Sequence, residues 1–142
     1  MQNSLSVTNE ELTNIILEMP IREKPSYELR FKFLSKLIEM WINDDWILAY
    51  AMVITDTNGV KRFGFQSLET EEGCFLMMLS HPKYFKKKFS SNMMTTSIRE
   101  LFDVYFRNKE ELDGIIINPD TDEQIGLDKS SMEILNELNS NN

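Results

Sequence analysis

Apolar side chains recur along this chain in two periods, and the switches between them mark out its elements. Leu12, Ile15, Ile16 and Met19 follow helical spacing until Pro20 ends the run, and Thr8 with Glu11 makes a capping-box pattern at its start. After the charged break at 21–25, Ser26 is placed to cap a longer helix. Its Leu34, Leu37, Ile38, Trp41 and Ile42 form one stripe that closes near Asn43. The stretch WILAYAMVIT, 46–55, is too continuously apolar for a half-exposed strand. Its aromatic and branched residues predict a central strand covered on both faces. Asn58-Gly59 then predicts a tight hairpin turn with positive φ angles, and KRFGFQ beyond it places Phe63 and Phe65 on one side.

Gly73 opens a second apolar run whose length predicts a strand over 74–79. HPKYFKKKF, with four lysines between Lys83 and Lys88, reads as a surface or helical turn leading to a short strand around 92–94. Ser97 and Glu100 form another capping box, followed by Ile98, Leu101, Phe102, Tyr105 and Phe106 at helical spacing to about Arg107. GIIIN at 114–118 and EQIGL at 123–127 predict a second hairpin across Pro119-Asp120. Ser130 with Glu133 then starts a last helix through Leu138. The expected architecture is α+β (mixed α/β): a single layered domain with a mostly antiparallel or mixed sheet of five to six strands flanked by helices. Residues 1–45 form its helical N-terminal portion, 46–138 the sheet-containing core, and 139–142 a tail expected to fray.

Charge sharpens this picture. The net charge is -8, yet residues 1–109 hold 14 acidic and 14 basic side chains, while residues 110–142 hold nine acidic ones and Lys129 alone. Such a balance disfavours nucleic acid as the main ligand, because phosphate binding rests on Lys and Arg releasing counterions. It suits a basic protein partner. No apolar run reaches the roughly 20 residues that span a bilayer, and the first residues lack a basic stretch followed by an apolar one, so a cytoplasmic protein without membrane contact is expected. Cys74, the single cysteine, lies in an apolar run that suits a buried thiol.

Candidate chemistry is sparse. His81 is the one histidine, beside Pro82, and reads as an exposed turn residue; Cys74 and His81 lack the further ligands a zinc site needs. Asp44-Asp45 reads as a break between helix and strand. NPDTDEQIG has Asp120 and Asp122 at alternate positions but lacks the bidentate Glu of a calcium loop, and no glycine-rich phosphate motif occurs. Tyr84, Phe85 and Phe89 interleave with Lys83, Lys86, Lys87 and Lys88 as in a nucleic-acid or membrane patch, although a solvated turn explains so short a run better. No cofactor, metal site or catalytic residue is expected.

The C-terminal third, SIRELFDVYFRNKEELDGIIINPDTDEQIGLDKSSMEIL, resembles the closing segment of the SseB-like domain family: an amphipathic helix, an acidic link, an Asp-Gly plus aliphatic strand ending in Asn-Pro, then a second strand and a helix. The matching positions are Leu101, Asp113, Gly114, Ile115, Ile117, Asn118, Pro119, Ile125 and Leu127. Over 63–95 the chain departs from the family, with the longer FGFQSLETEEGCFLMML. The resemblance implies an α/β domain without assigned catalytic residues, found in small bacterial proteins, some encoded near toxin systems.

These readings converge on a non-enzymatic binding or regulatory module whose acidic face, Asp113, Asp120, Asp122, Glu123 and Asp128, meets a basic protein partner, with an immunity protein neutralising a toxin as the specific version. Gly114, Asn118 and Pro119 are assigned structural roles. Two alternatives stay open: a small-molecule-binding protein or enzyme with an aromatic-lined pocket and two convergent polar groups, or a homodimer formed through the Met-rich runs at 74–79 and 93–94.

Overall fold

Capping and turn chemistry set most element boundaries in the computed structural model, which describes residues 7–20 and 23–140. Helix α1 spans Glu10–Leu17 and α2 spans Tyr27–Asn43. Ser26 caps α2 as predicted, its hydroxyl accepting from Leu29 N–H at 3.2 Å. The capping box at Thr8 does not form. Asn9 precedes α1 instead, and it makes no side-chain cap because its amide donates to Trp46 O at 3.1 Å while its N–H donates to Ser80 O at 3.0 Å. Bonds to distant strands have overridden the local motif.

Strand β1 (Trp46–Thr55) and β2 (Lys61–Phe65) form the first hairpin. Gly59 alone takes a positive φ there, 79°; the Asp56 carboxylate, accepting from Asn58 N–H and Val60 N–H at 2.9 Å each, organises the turn that Asn58 was expected to shape. β3 (Ser67–Thr70), which the sequence did not predict, pairs with β4 (Gly73–Leu79) and brings the sheet to seven strands instead of five to six. β5 (Asn92–Ser97) leads into α3 (Ile98–Arg107), where Ser97 Oγ accepts from Glu100 N–H as predicted. β6 (Gly114–Ile117) and β7 (Ile125–Asp128) form the second hairpin, and α4 (Lys129–Ser140) closes the fold. The first bond of α4 comes from Ser131 N–H to Asp128 Oδ1 at 2.8 Å, so Asp128 does the capping expected of Ser130.

Leu48 and Ala49 of β1 have both β4 and β5 as partners, and Ala51 has both β2 and β5. A strand has two edges, so β5 lies on one edge of β1 while β4 and β2 share the other. β4 likewise carries β6 on one edge, and β3 and β1 on the other. The sheet therefore forks between β1 and β4, with β2 and β3 lining the fork. Among the described strands the β4–β6 pair is parallel and every other pair antiparallel.

Alternation along these strands produces two cores. Ile47, Leu76, Met78, Ile115 and Ile117 point to the helical side, where they meet Leu37, Trp41, Leu101, Phe102 and Leu135. Leu48, Tyr50, Met77 and Leu79 point to the other side. Among the described residues no α-helix covers that side. Instead the lysine-rich loop folds over it, with Tyr84 buried, Phe85 stacked on Tyr50 at 5.2 Å, and Phe89 edge-on to Tyr50 at 5.6 Å. The Tyr50 hydroxyl accepts from Lys86 N–H at 2.7 Å, and its burial raises the phenol's pKa. β1 is thus central and doubly covered over 47–51, as predicted, but Met52 and Val53 beyond are exposed. Met77 and Met78 are wholly buried, so the Met-rich run 74–79 offers no dimerising patch. No described helix is long and apolar enough to cross a membrane.

Candidate protein-binding cleft beside the second hairpin

The β6–β7 hairpin is fixed at one end by an asparagine. Asn118 is fully buried with φ 55°, a left-handed conformation that Asn tolerates better than most residues. Its Oδ1 accepts from Ser80 N–H at 2.9 Å, and its Nδ2 donates to Ser80 Oγ at 2.9 Å and to Glu123 O at 3.3 Å. Thr13 Oγ1 of α1 donates to the same Ser80 Oγ at 2.9 Å. This buried polar chain ties α1, the end of β4 and the hairpin loop together, and every member is satisfied. Thr121 Oγ1 donates to Asn118 O at 2.8 Å and Asp120 N–H donates to Gln124 Oε1 at 2.7 Å, so the loop itself is internally bonded. The Asn118 bonds thus hold the loop end of the hairpin in place.

The five acidic residues assigned to one face lie at both ends of this hairpin. Asp113 and Asp128 flank its open end, where Gly114 pairs with Asp128. Asp113 accepts from Cys74 N–H at 2.9 Å and lies 3.7 Å from Lys129 Nζ. Asp128 caps α4, and the backbone N–H of Ser131 holds its carboxyl below the ordinary range. Asp120, Asp122 and Glu123 lie at the loop end. There Asp120 is paired with Lys88 and, at 3.7 Å, with Lys86; the hydrogen bond from Lys88 lowers its pKa first of all. Three of the five thus serve contacts within the chain, and part of the lysine cluster answers the acidic loop. The five therefore stand in two groups, at the two ends of the hairpin.

Asp122 and Glu123 remain, and the fold gives them a neighbour that sequence reasoning missed. Together with Glu23 they line a cleft of about 420 Å³ between the loop and the connection from α1 to α2, whose lining also includes Ile16, Met19 and Ile125. None of the three carboxylates has an ion pair among the described residues. Glu23 stands 99 positions from Asp122 in sequence, in a segment without periodicity, and nothing local marks it.

Other candidates resolve into structural roles. His81 Nδ1 accepts from Lys83 N–H at 3.1 Å and its Nε2 lies 3.5 Å from Glu10. It follows the end of β4, whereas Cys74 lies near that strand's start, so the two are not a pair. Asp44 takes φ 53° to end α2, and burial pushes the Asp45 carboxyl up. No group of three His, Cys, Asp or Glu side chains able to hold a metal occurs among the described residues. A more apolar depression of about 250 Å³ lies between α2 and α4, lined by Tyr27, Phe31 and Ile134, but the Arg30 beside it is engaged by Ser131 Oγ at 2.7 Å. Comparison with family models, with curated proteins and with solved structures gave no match.

Proposed function

We propose that this chain is a non-enzymatic protein-binding or regulatory module of SseB-like type, whose cleft receives a lysine or arginine side chain of a basic protein partner. A toxin neutralised by an immunity protein is the specific version of that reading. The observation that carries it is the lining of the cleft, where three acidic residues without an ion pair among the described residues stand together with Ile16, Met19 and Ile125. A long basic side chain matches such a site because its stem is apolar and its head is charged. Charge complementarity of this kind acts mainly on association rate and partner choice.

The test is capture of partners from the native cell extract by the tagged chain at low and high salt, set beside the Asp122→Lys, Glu123→Lys double variant. A basic protein retained by the wild type at low salt, released at high salt, and bound at least about tenfold more weakly by the variant supports the cleft. Equal binding by variant and wild type removes the cleft from the interface.

A further inference from the structure

Asn58-Gly59 is the one Asn-Gly pair of the sequence, and it stands at the tip of the β1–β2 hairpin. Every residue from 55 to 63 is exposed, so the outer half of this hairpin opens at little cost in buried surface. The described asparagines elsewhere are held in place. Asn9, Asn92, Asn108 and Asn118 donate side-chain hydrogen bonds, and the remaining ones lie in α1, α2 and α4. Asn118 is in addition followed by Pro119, which has no backbone N–H. The Asn58 side chain makes no hydrogen bond among the described residues.

The residue after Asn58 matters as much. Gly59 takes φ 79°, and a Cβ placed on it would meet nothing within 4 Å, so its peptide is open to solvent on the side where other residues carry a side chain. In the closed turn the Gly59 N–H donates to Asp56 O at 3.0 Å, and Asp56 Oδ1 accepts from Asn58 N–H and Val60 N–H at 2.9 Å each. All four residues are exposed, so these bonds break whenever the tip frays.

We propose that Asn58 is a site of spontaneous covalent modification, with the following peptide nitrogen as the reagent and water as the co-reactant. The Gly59 nitrogen gives up its proton to solvent base and attacks Asn58 Cγ. The bond from Cγ to Nδ2 breaks, and Nδ2 takes up a proton and leaves as ammonia. The product is a cyclic succinimide. Water then opens the ring: addition at the side-chain carbonyl leaves an aspartate, whereas addition at the main-chain carbonyl leaves an isoaspartate, with the chain running through the former side chain. Water is consumed and ammonia released in equal amount. In the succinimide the Gly59 nitrogen has no hydrogen, so its bond to Asp56 O is lost. The isoaspartate lengthens the main chain of the turn by a methylene, and either product sets a carboxylate two positions from Asp56. A lengthened turn and adjacent like charges both oppose closure, so the Thr55–Lys61 pair at the end of the ladder separates first. β2 and β7 stand at opposite ends of the strand order, which leaves the cleft untouched.

Ageing the purified chain in mildly alkaline buffer and mapping its peptides by mass spectrometry tests this without any partner. The peptide that holds Asn58 is expected to gain about 1 Da, the difference between an amide and an acid. It should do so at least about tenfold faster than any other asparagine-containing peptide, since no other asparagine precedes glycine. An isoaspartyl-specific methyl-transfer assay should turn positive in step. Asn58→Gln, whose longer side chain closes a larger and slower ring, is expected to abolish both signals and to leave the far-ultraviolet circular dichroism spectrum unchanged, because the side chain it replaces is exposed. A gain at another asparagine first, a gain at Asn58 without isoaspartate, or an isoaspartyl signal that survives Asn58→Gln overturns the inference. So does a wild type that changes only after urea has unfolded it.

Discussion

The two ends of the β6–β7 hairpin carry the same kind of side chain to opposite purposes. At the open end Asp113 and Asp128 accept backbone N–H groups, from Cys74 and from Ser131, and act as pins between elements. At the loop end Asp122 and Glu123 have no such donor on their carboxylates and face the cleft beside Glu23. Asp120 stands between the two cases, at the loop end but held by the lysine loop. Acidity of a segment therefore does not locate a surface. What separates structural from available carboxylates is the donor each one meets, and only the fold supplies that.

Stability measurements sharpen this difference. The largest effect is expected for Asn118→Ala, which leaves Ser80 unsatisfied in the interior and places alanine in a left-handed conformation. A loss of about 2–4 kcal/mol in urea unfolding checks it, and a loss below about 1 kcal/mol would show that the polar chain does not fix the loop end. Next, Asp113→Ala strands the Cys74 N–H and should cost about 1–2 kcal/mol by the same assay.

Asp128→Asn keeps a capping oxygen but loses the charge at the α4 N-terminus, and should cost about 0.5 kcal/mol at neutral pH. Its pH dependence has a defined sign. Because the folded carboxyl titrates below its unfolded value, near 3.9, the stabilisation is complete above that value and is lost as pH falls through the folded one. The variant's stability should consequently change less on acidification, the two chains converging at low pH. The smallest effect belongs to Asp122→Lys with Glu123→Lys, expected within about 0.5 kcal/mol of wild type. A large loss there would erase the distinction between the two ends.

The sequence was most legible where structure is local. Ser26 and Ser97 cap their helices as read because the bonded N–H lies three residues on. Thr8-Glu11 and Ser130-Glu133 carry the same motif and fail, since Asn9 is drawn to Trp46 and Ser80, and Asp128 reaches Ser131 first. β3 escaped notice because Ser67–Thr70 is polar and only its ladder to β4 makes it a strand. The same limit applies to the cleft. Asp122 and Glu123 were visible as acids, but Glu23 joins them through tertiary folding alone, and the lysines that neutralise Asp120 lie on a loop whose aromatics are committed to the sheet's second face.

The parallel β4–β6 pair has a consequence for the order of folding. Its partners, Phe75 with Gly114 through Met78 with Ile117, stand 39 residues apart, and β5 and α3 must be accommodated in the closed loop between them. Closing such a loop costs chain entropy before any contact rewards it, whereas the two hairpins and the helices gather from near neighbours. The Ser80–Asn118 bonds form across that closure, so the acidic loop takes its shape only when the β4–β6 contact is made. The cleft thus exists only in molecules that have completed their long-range strand pairing, and a partner of the proposed kind would discriminate finished chains from unfinished ones.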